Sequence, residues 1–175
     1  MKRIAALVLL VTHALIATNA FAGEHSVGLG YGSVGDDDLT FNSAIISYGY
    51  QINQNWAVDL NVQGFNTDDS SGGIVFELDY AVSGRVKGGL TTSGGHFLYL
   101  SGGYVYGTGT ISACGVGVGG GVFCFSESGD LDGPTAGLGA DFKIADNWSI
   151  DANYQRSFGD LDGGNLWTAT VRYRF

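Results

Sequence analysis

Apolar and polar side chains alternate with a period of two along most of the chain, as in strands that bury one face only. In residues 44–52, Ala44, Ile46, Tyr48, Tyr50 and Ile52 alternate with Ser47, Gly49 and Gln51. In 56–63, Trp56, Val58, Leu60 and Val62 alternate with Ala57, Asp59, Asn61 and Gln63. The same alternation runs through 74–87 and 165–175. The pattern predicts eight strands, at 25–33, 40–52, 56–66, 74–87, 96–110, 131–144, 148–158 and 165–175. The odd connections (34–39, 67–73, 111–130, 159–164) are polar or Gly-rich. Of the even ones, 53–55 and 145–147 are tight turns and 88–95 is longer. An even number of strands of about 9–11 residues or more, with short turns at one end and longer loops at the other, fits a membrane barrel. The predicted fold class is all-β: an eight-stranded antiparallel up-and-down transmembrane β-barrel over 23–175.

If the Trp56 face meets lipid, the opposite parity faces the lumen. It carries Asp59, Glu77, Asp79, Asp141 and Asp151 together with Arg85, Lys87, Lys143, Arg172 and Arg174. Five acids against five bases predict an ion-paired interior, because an eight-stranded lumen is barely wide enough for its own side chains. The alternative is a solvated face of a soluble sheet. Aromatics fall in two belts, Trp56, Trp148, Phe142, Tyr173 and Phe175 near the turns and Tyr31, Phe76, Tyr104, Tyr106, Tyr154 and Trp167 toward the loops.

Residues 1–22 read as a secretory signal: Lys2 and Arg3, an apolar run from Ile4 to Ile16, and Ala20-Phe21-Ala22. The run falls short of the ~20 residues of a membrane anchor. Loss of Lys2 and Arg3 leaves six basic and seventeen acidic residues, a net −11 that argues against nucleic acid. An exported chain reaches an oxidising compartment, so Cys114 and Cys124 are expected to form a disulfide. Ten acids (Asp36, Asp37, Asp38, Asp68, Asp69, Glu127, Asp130, Asp132, Asp160, Asp162) lie in or beside the odd connections and predict an acidic outer rim. Gly-Asp-Leu-Asp-Gly occurs at 129–133 and 159–163. It matches part of a calcium loop without the full ligand spacing, and solvated Asp-Gly turns are the alternative. No metal or cofactor is expected.

An internal repeat aligns Ile52–Gln63 (INQNWAVDLNVQ) with Ile144–Gln155 (IADNWSIDANYQ). With the eight-strand layout and the terminal Thr-Ala-Thr-Val-Arg-Tyr-Arg-Phe, these residues resemble the OmpA-like and OmpX/Ail-like small outer-membrane barrels. The resemblance implies residence in the outer membrane of a Gram-negative bacterium, among outer-membrane lipids and lipopolysaccharide. It also implies that Ala169, Val171, Tyr173 and Phe175 form the signal read by the barrel-assembly machinery. The function it implies is structural or surface-interacting: envelope integrity, adhesion or host contact through extracellular loops, with an unidentified ligand. A narrow porin-like channel is the alternative. A lipid A-modifying enzyme is a third reading, but His25 and His96 fall at strand starts on the periplasmic side with no serine at nucleophile spacing. A non-enzyme is expected.

Overall fold

The computed structural model describes residues 23–35, 40–65, 68–71, 74–116, 122–159 and 164–175. The predicted leader 1–22 and the rim residues Asp36, Asp37, Asp38, Asp160 and Asp162 lie outside the described residues. Among the described residues nine strands follow in order: β1 (Glu24–Gly35), β2 (Thr40–Asn53), β3 (Trp56–Phe65), β4 (Asp68–Ser71), β5 (Ile74–Thr91), β6 (Phe97–Val116), β7 (Val122–Lys143), β8 (Trp148–Ser157) and β9 (Asn165–Arg174). They form one antiparallel sheet in the order β3-β2-β1-β9-β8-β7-β6-β5-β4, and a further β3–β5 pairing closes it. Eight strands are the staves. The ninth, β4, pairs only with the first residues of β5, from Asp68↔Glu77 to Ser71↔Ile74. Closure leaves no stave with an unpaired edge inside the barrel wall, which is how strands satisfy their backbone in lipid.

Burial is inverted relative to a soluble protein. Asp59, Arg85, Lys87, Asp151, Arg172 and Gln63 are buried, whereas Leu29, Ile46, Leu60, Leu100, Leu138 and Trp167 are exposed. One end of the barrel, the turn end, carries the turns after β2, β5 and β7 and the C-terminal Phe175. The other is the loop end.

Two connections differ from the expected ones. The 88–95 segment shrinks to a turn, since β5 runs to Thr91 and β6 begins at Phe97. Gly95, at φ 79°, closes it with an N–H to the Thr92 carbonyl at 2.9 Å, a conformation a side chain would strain. The 111–130 connection is mostly strand. β6 and β7 pair without interruption to Val116↔Val122, and Cys114 stands directly opposite Cys124 in a disulfide. Glycines at 107, 109 and 129 blank the apolar phase there and hide the alternation. The polar phase survives as a cross-strand ladder, Thr110 with Ser128 at 2.9 Å and Ser112 to Ser126 at 3.1 Å.

A bulge alters β5. Leu78 pairs with Gly109 and Tyr80 with Thr108, so Asp79 is an extra residue between them. Below it, Ala81, Ser83, Arg85 and Lys87 face inward; above it the phase slips by one and Leu78 takes the inward place. Above Thr135, among the described residues, β7 has no register partner on β8. The upper parts of β5, β6 and β7 therefore stand as an extension beyond the closed wall.

The disulfide closes a loop whose cysteines are ten apart in sequence. Its loss is expected to cost the tip of the extension about 2–3 kcal/mol. Replacing Cys114 and Cys124 by Ser should speed amide exchange across 111–116 and 122–127 and leave exchange in β1, β8 and β9 unchanged.

Candidate functional site

The internal repeat sets Asp59 on β3 and Asp151 on β8, strands that the sheet order places on opposite sides of the barrel. Their neighbours β5 and β9 supply Arg85, Lys87 and Arg172. The Lys87 Nζ bridges the lumen, 2.6 Å from an Asp59 oxygen and 2.6 Å from an Asp151 oxygen. Arg85 reaches Asp59 at 2.8 Å and Asp151 at 3.2 Å. Arg172 donates to both Asp59 oxygens, at 3.0 and 2.7 Å. The Tyr99 hydroxyl donates to Asp151 at 2.9 Å, and Lys87 Nζ lies 4.3 Å from the centre of its ring. All six residues are buried. Charges so far from water need this density of partners.

Small residues on the facing strands make the room. A Cβ at Gly49 would stand 2.9 Å from both Arg172 Nη1 and Asp59 Oδ1, and one at Gly28 would stand 2.9 Å from Arg172 Cγ. Toward the loop end the layer passes into amides and hydroxyls. Asn153 donates to Asp151 at 3.2 Å, Gln155 to Asn153 at 2.9 Å, and Ser43 to Gln63 at 3.3 Å. A cavity of about 20 Å³ lies on the turn side of the layer, lined in part by Asp59, Lys87 and Arg172. Another of about 40 Å³ lies on the loop side, with Gln63, Ser83 and Gln155 in its lining. Each is on the scale of one or a few water molecules. The ionic layer separates them.

The expected ten-residue network divides. Asp59, Arg85, Lys87, Asp151 and Arg172 meet as described. Asp141 and Arg174 pair with each other at the turn-end rim, where Arg174 also lies 3.8 Å from Glu24. Lys143 is corrected: it sits at the last residue of β7, part-exposed, 3.8 Å from Asp146 in the following turn. Glu77 and Asp79 are also corrected. Both are exposed at the loop end, because the bulge at Asp79 slips the phase that would have turned them inward. Tyr99 went unrecognised, although Phe97, Tyr99, Ser101 and Val105 share one parity and are all buried. That shared inward face was the available signal. Of the expected rim, Glu127 and Asp130 are exposed, and Asp132 accepts a hydrogen bond from Tyr104. Among the described residues no group of three or more His, Cys, Asp or Glu is placed to hold a metal ion.

The family described as "Outer membrane protein beta-barrel domain" matches residues 4–175. This chain belongs to that family. Solved outer-membrane barrels share its fold. Ail, the attachment invasion locus protein of Yersinia pestis, is 25% identical with a TM-score of 0.57, covering 87% of this chain and 99% of that one. Neisserial surface protein A is 17% identical with a TM-score of 0.55, over 87% and 97% of the two chains. Outer Membrane Protein W of E. coli is 14% identical with a TM-score of 0.54, over 89% and 100%. No curated protein matches the chain in sequence.

In an outer-membrane β-barrel of this family, the exposed apolar faces of the staves meet lipid. Ala169, Val171, Tyr173 and Phe175 all lie on that lipid-facing side of the last strand and its end. Phe175 and His25 exchange both backbone hydrogen bonds, at 2.9 and 3.2 Å, and tie the terminus to β1. The repeat recurs at the turn end: Asn55 donates to the Gly89 carbonyl and Asn147 to the Arg174 carbonyl, each at 2.8 Å, beside exposed Trp56 and Trp148.

Removing one member of the ionic layer strands the others. Asp59→Asn is expected to lower barrel stability by about 3–5 kcal/mol in urea titrations of the lipid-embedded protein. Glu77→Gln and Asp79→Asn should each stay within about 0.5 kcal/mol of the parent.

Proposed function

We propose that this protein is a closed, non-enzymatic surface-interaction barrel that meets its partners through the β5–β7 extension. One observation carries the reading. The lumen is filled by a cross-linked ionic layer, while the elaborated, disulfide-tied part of the chain stands beyond the wall at the loop end. A solute path would have to pass Lys87, which touches carboxylates from opposite staves. The two histidines outside the leader serve structural contacts at the turn end. His25 Nδ1 lies 2.8 Å from the Tyr48 hydroxyl and its ring packs on Tyr50 and Phe175; His96 lies in the turn after β5 and packs on Phe142. The name of Ail refers to attachment and invasion, which supports an adhesive role for a chain with the same fold.

In this reading residues 1–22 are the exported leader, the turn end faces the periplasm, and the loop end is extracellular. Ala169, Val171, Tyr173 and Phe175 are the residues presented to the barrel-assembly machinery. Outer-membrane lipids and lipopolysaccharide surround the belt, and the acidic residues of the extension meet an extracellular or host ligand.

Replacing 111–127 by a two-residue Asn-Gly turn tests the assignment. Cells carrying the shortened barrel are expected to lose at least about tenfold in binding to immobilised extracellular-matrix proteins, which corresponds to ~1.4 kcal/mol. The heat-dependent gel shift of the extracted barrel should persist. Unchanged binding overturns the surface role of the extension. Single-channel steps above the lipid baseline from the purified protein in a planar bilayer overturn the closed lumen.

A further inference from the structure

Of the six basic residues after the leader, Arg85, Lys87 and Arg172 belong to the ionic layer, and Lys143 and Arg174 lie at the turn end. Arg156 is the remaining one. It continues the outward phase of Trp148, Ile150, Ala152 and Tyr154 on β8 and is exposed. Among the described residues no carboxylate lies within ion-pair distance of it. Eight residues separate it from Trp148 at the turn end. At ~3.4 Å per residue and a tilt of about 40°, that is roughly 20 Å along the membrane normal, near the far edge of a band about 25 Å tall. A guanidinium does not shed its charge, so on the lipid face it extends to the interface and takes an anion there.

The wall below Arg156 is hollowed. Gly88 and Gly89 on β5, and Ala140 and Ala152 directly opposite each other on β7 and β8, make low ground. Leu98, Leu100, Leu138, Tyr154 and Trp167 stand around it. Together they form an open, outward-facing apolar groove of about 720 Å³. The groove is inclined. Pairing runs from Gly88 through Leu100, Leu138 and Tyr154 to Trp167. Gly88 is three residues from the end of β5 at Thr91, whereas Trp167 is seven from the end of β9 at Arg174. Both strands end at the turn end, so the groove climbs toward β8 and β9. Its upper end is the Tyr154–Trp167 ring pair, 4.5 Å between centres. Arg156 is the next outward residue above that pair, with Asn165 as its register partner on β9.

We propose that Arg156 and this groove bind one molecule of lipid A, with a phosphate on the guanidinium and an acyl chain descending the groove. The charge selects the head, because a guanidinium forks onto a phosphate through two N–H donors. The shape selects the tail. The groove has several times the ~150 Å³ that holds a benzene, is apolar along its length, and leads from the interface toward the membrane interior. Lipid A as the occupant rests on the loop end being extracellular, in the leaflet that lipopolysaccharide fills.

Methyl NMR of the full barrel in phosphatidylcholine nanodiscs, with rising fractions of bis-phosphorylated lipid A, tests the site. The Leu98, Leu138 and Ala140 methyls are expected to shift saturably, and Ile46 on β2 to show no saturable shift. Arg156→Gln should raise the lipid A fraction at half-response about tenfold, and Arg156→Lys only about threefold. Ala152→Phe places its ring in the groove and should abolish the saturable shifts while the heat-dependent gel shift persists. Saturation at Ile46 as well, or a linear drift at every methyl, overturns a defined site. Equal response to lipid A stripped of its phosphates overturns the role of Arg156. Equal response to phosphatidylglycerol overturns lipid A as the occupant. Lipid A lies in both leaflets of the disc, so these outcomes do not depend on how the barrel is inserted in cells. Insertion is checked separately: a glutamyl endopeptidase added to intact cells should cut at Glu127, and no cut overturns the extracellular loop end.

Discussion

Lys87, lodged between Asp59 and Asp151, is the contact on which the barrel's interior depends. A cylinder of eight strands must fill its own centre, and here three cations and two carboxylates do so. Such a layer contributes little net stability compared with an apolar filling, because desolvation offsets most of the attraction. Its larger effect is on register. A one-residue slip of any contributing strand would turn its charges into lipid, at about 2–4 kcal/mol for a lysine or arginine near the midplane. The layer therefore holds the staves in register as well as closing the lumen. Small residues elsewhere follow from it, since Gly28 and Gly49 sit where a side chain would displace Arg172 or Asp59.

The wall and the extension obey different constraints. Within the membrane, apolar residues must face outward on every stave, so alternation is strict and the phase cannot change. Beyond it, water contacts both faces and the phase is free. Asp79 falls at that border. One extra residue there reverses the inner and outer faces of β5 and puts Ile74 and Leu78 on the inner face of the extension. The disulfide at Cys114 and Cys124 ties together strands that stand beyond the closed wall.

Much of this was legible because the lipid environment imposes a local code. Alternation in β2, β3, β8 and β9 identified the strands, and the Asp-Asn-Gln phase of the repeat identified two inward-facing columns. Lys143 was misplaced by the same rule, since parity says which side a residue faces but not how close it lies to the barrel's end. Glu77 and Asp79 were misplaced because a bulge is a relation between two strands, and β5 alone carries no mark of it. Tyr99 was missed for a related reason: an aromatic residue on the inner face is unusual only once its charged neighbours are known.

The chain's own pattern of residues thus determined the all-β class, the stave positions, the lipid-facing band and the inward carboxylates Asp59 and Asp151, because each follows from the period of a single strand in lipid. Tertiary structure alone decided which of the ten lumen charges meet. It also decided that 111–116 and 122–127 form a paired ribbon instead of a loop, and that β5 reverses its faces at Asp79. Those outcomes depend on register between strands far apart in sequence, and register exists only when the cylinder has closed.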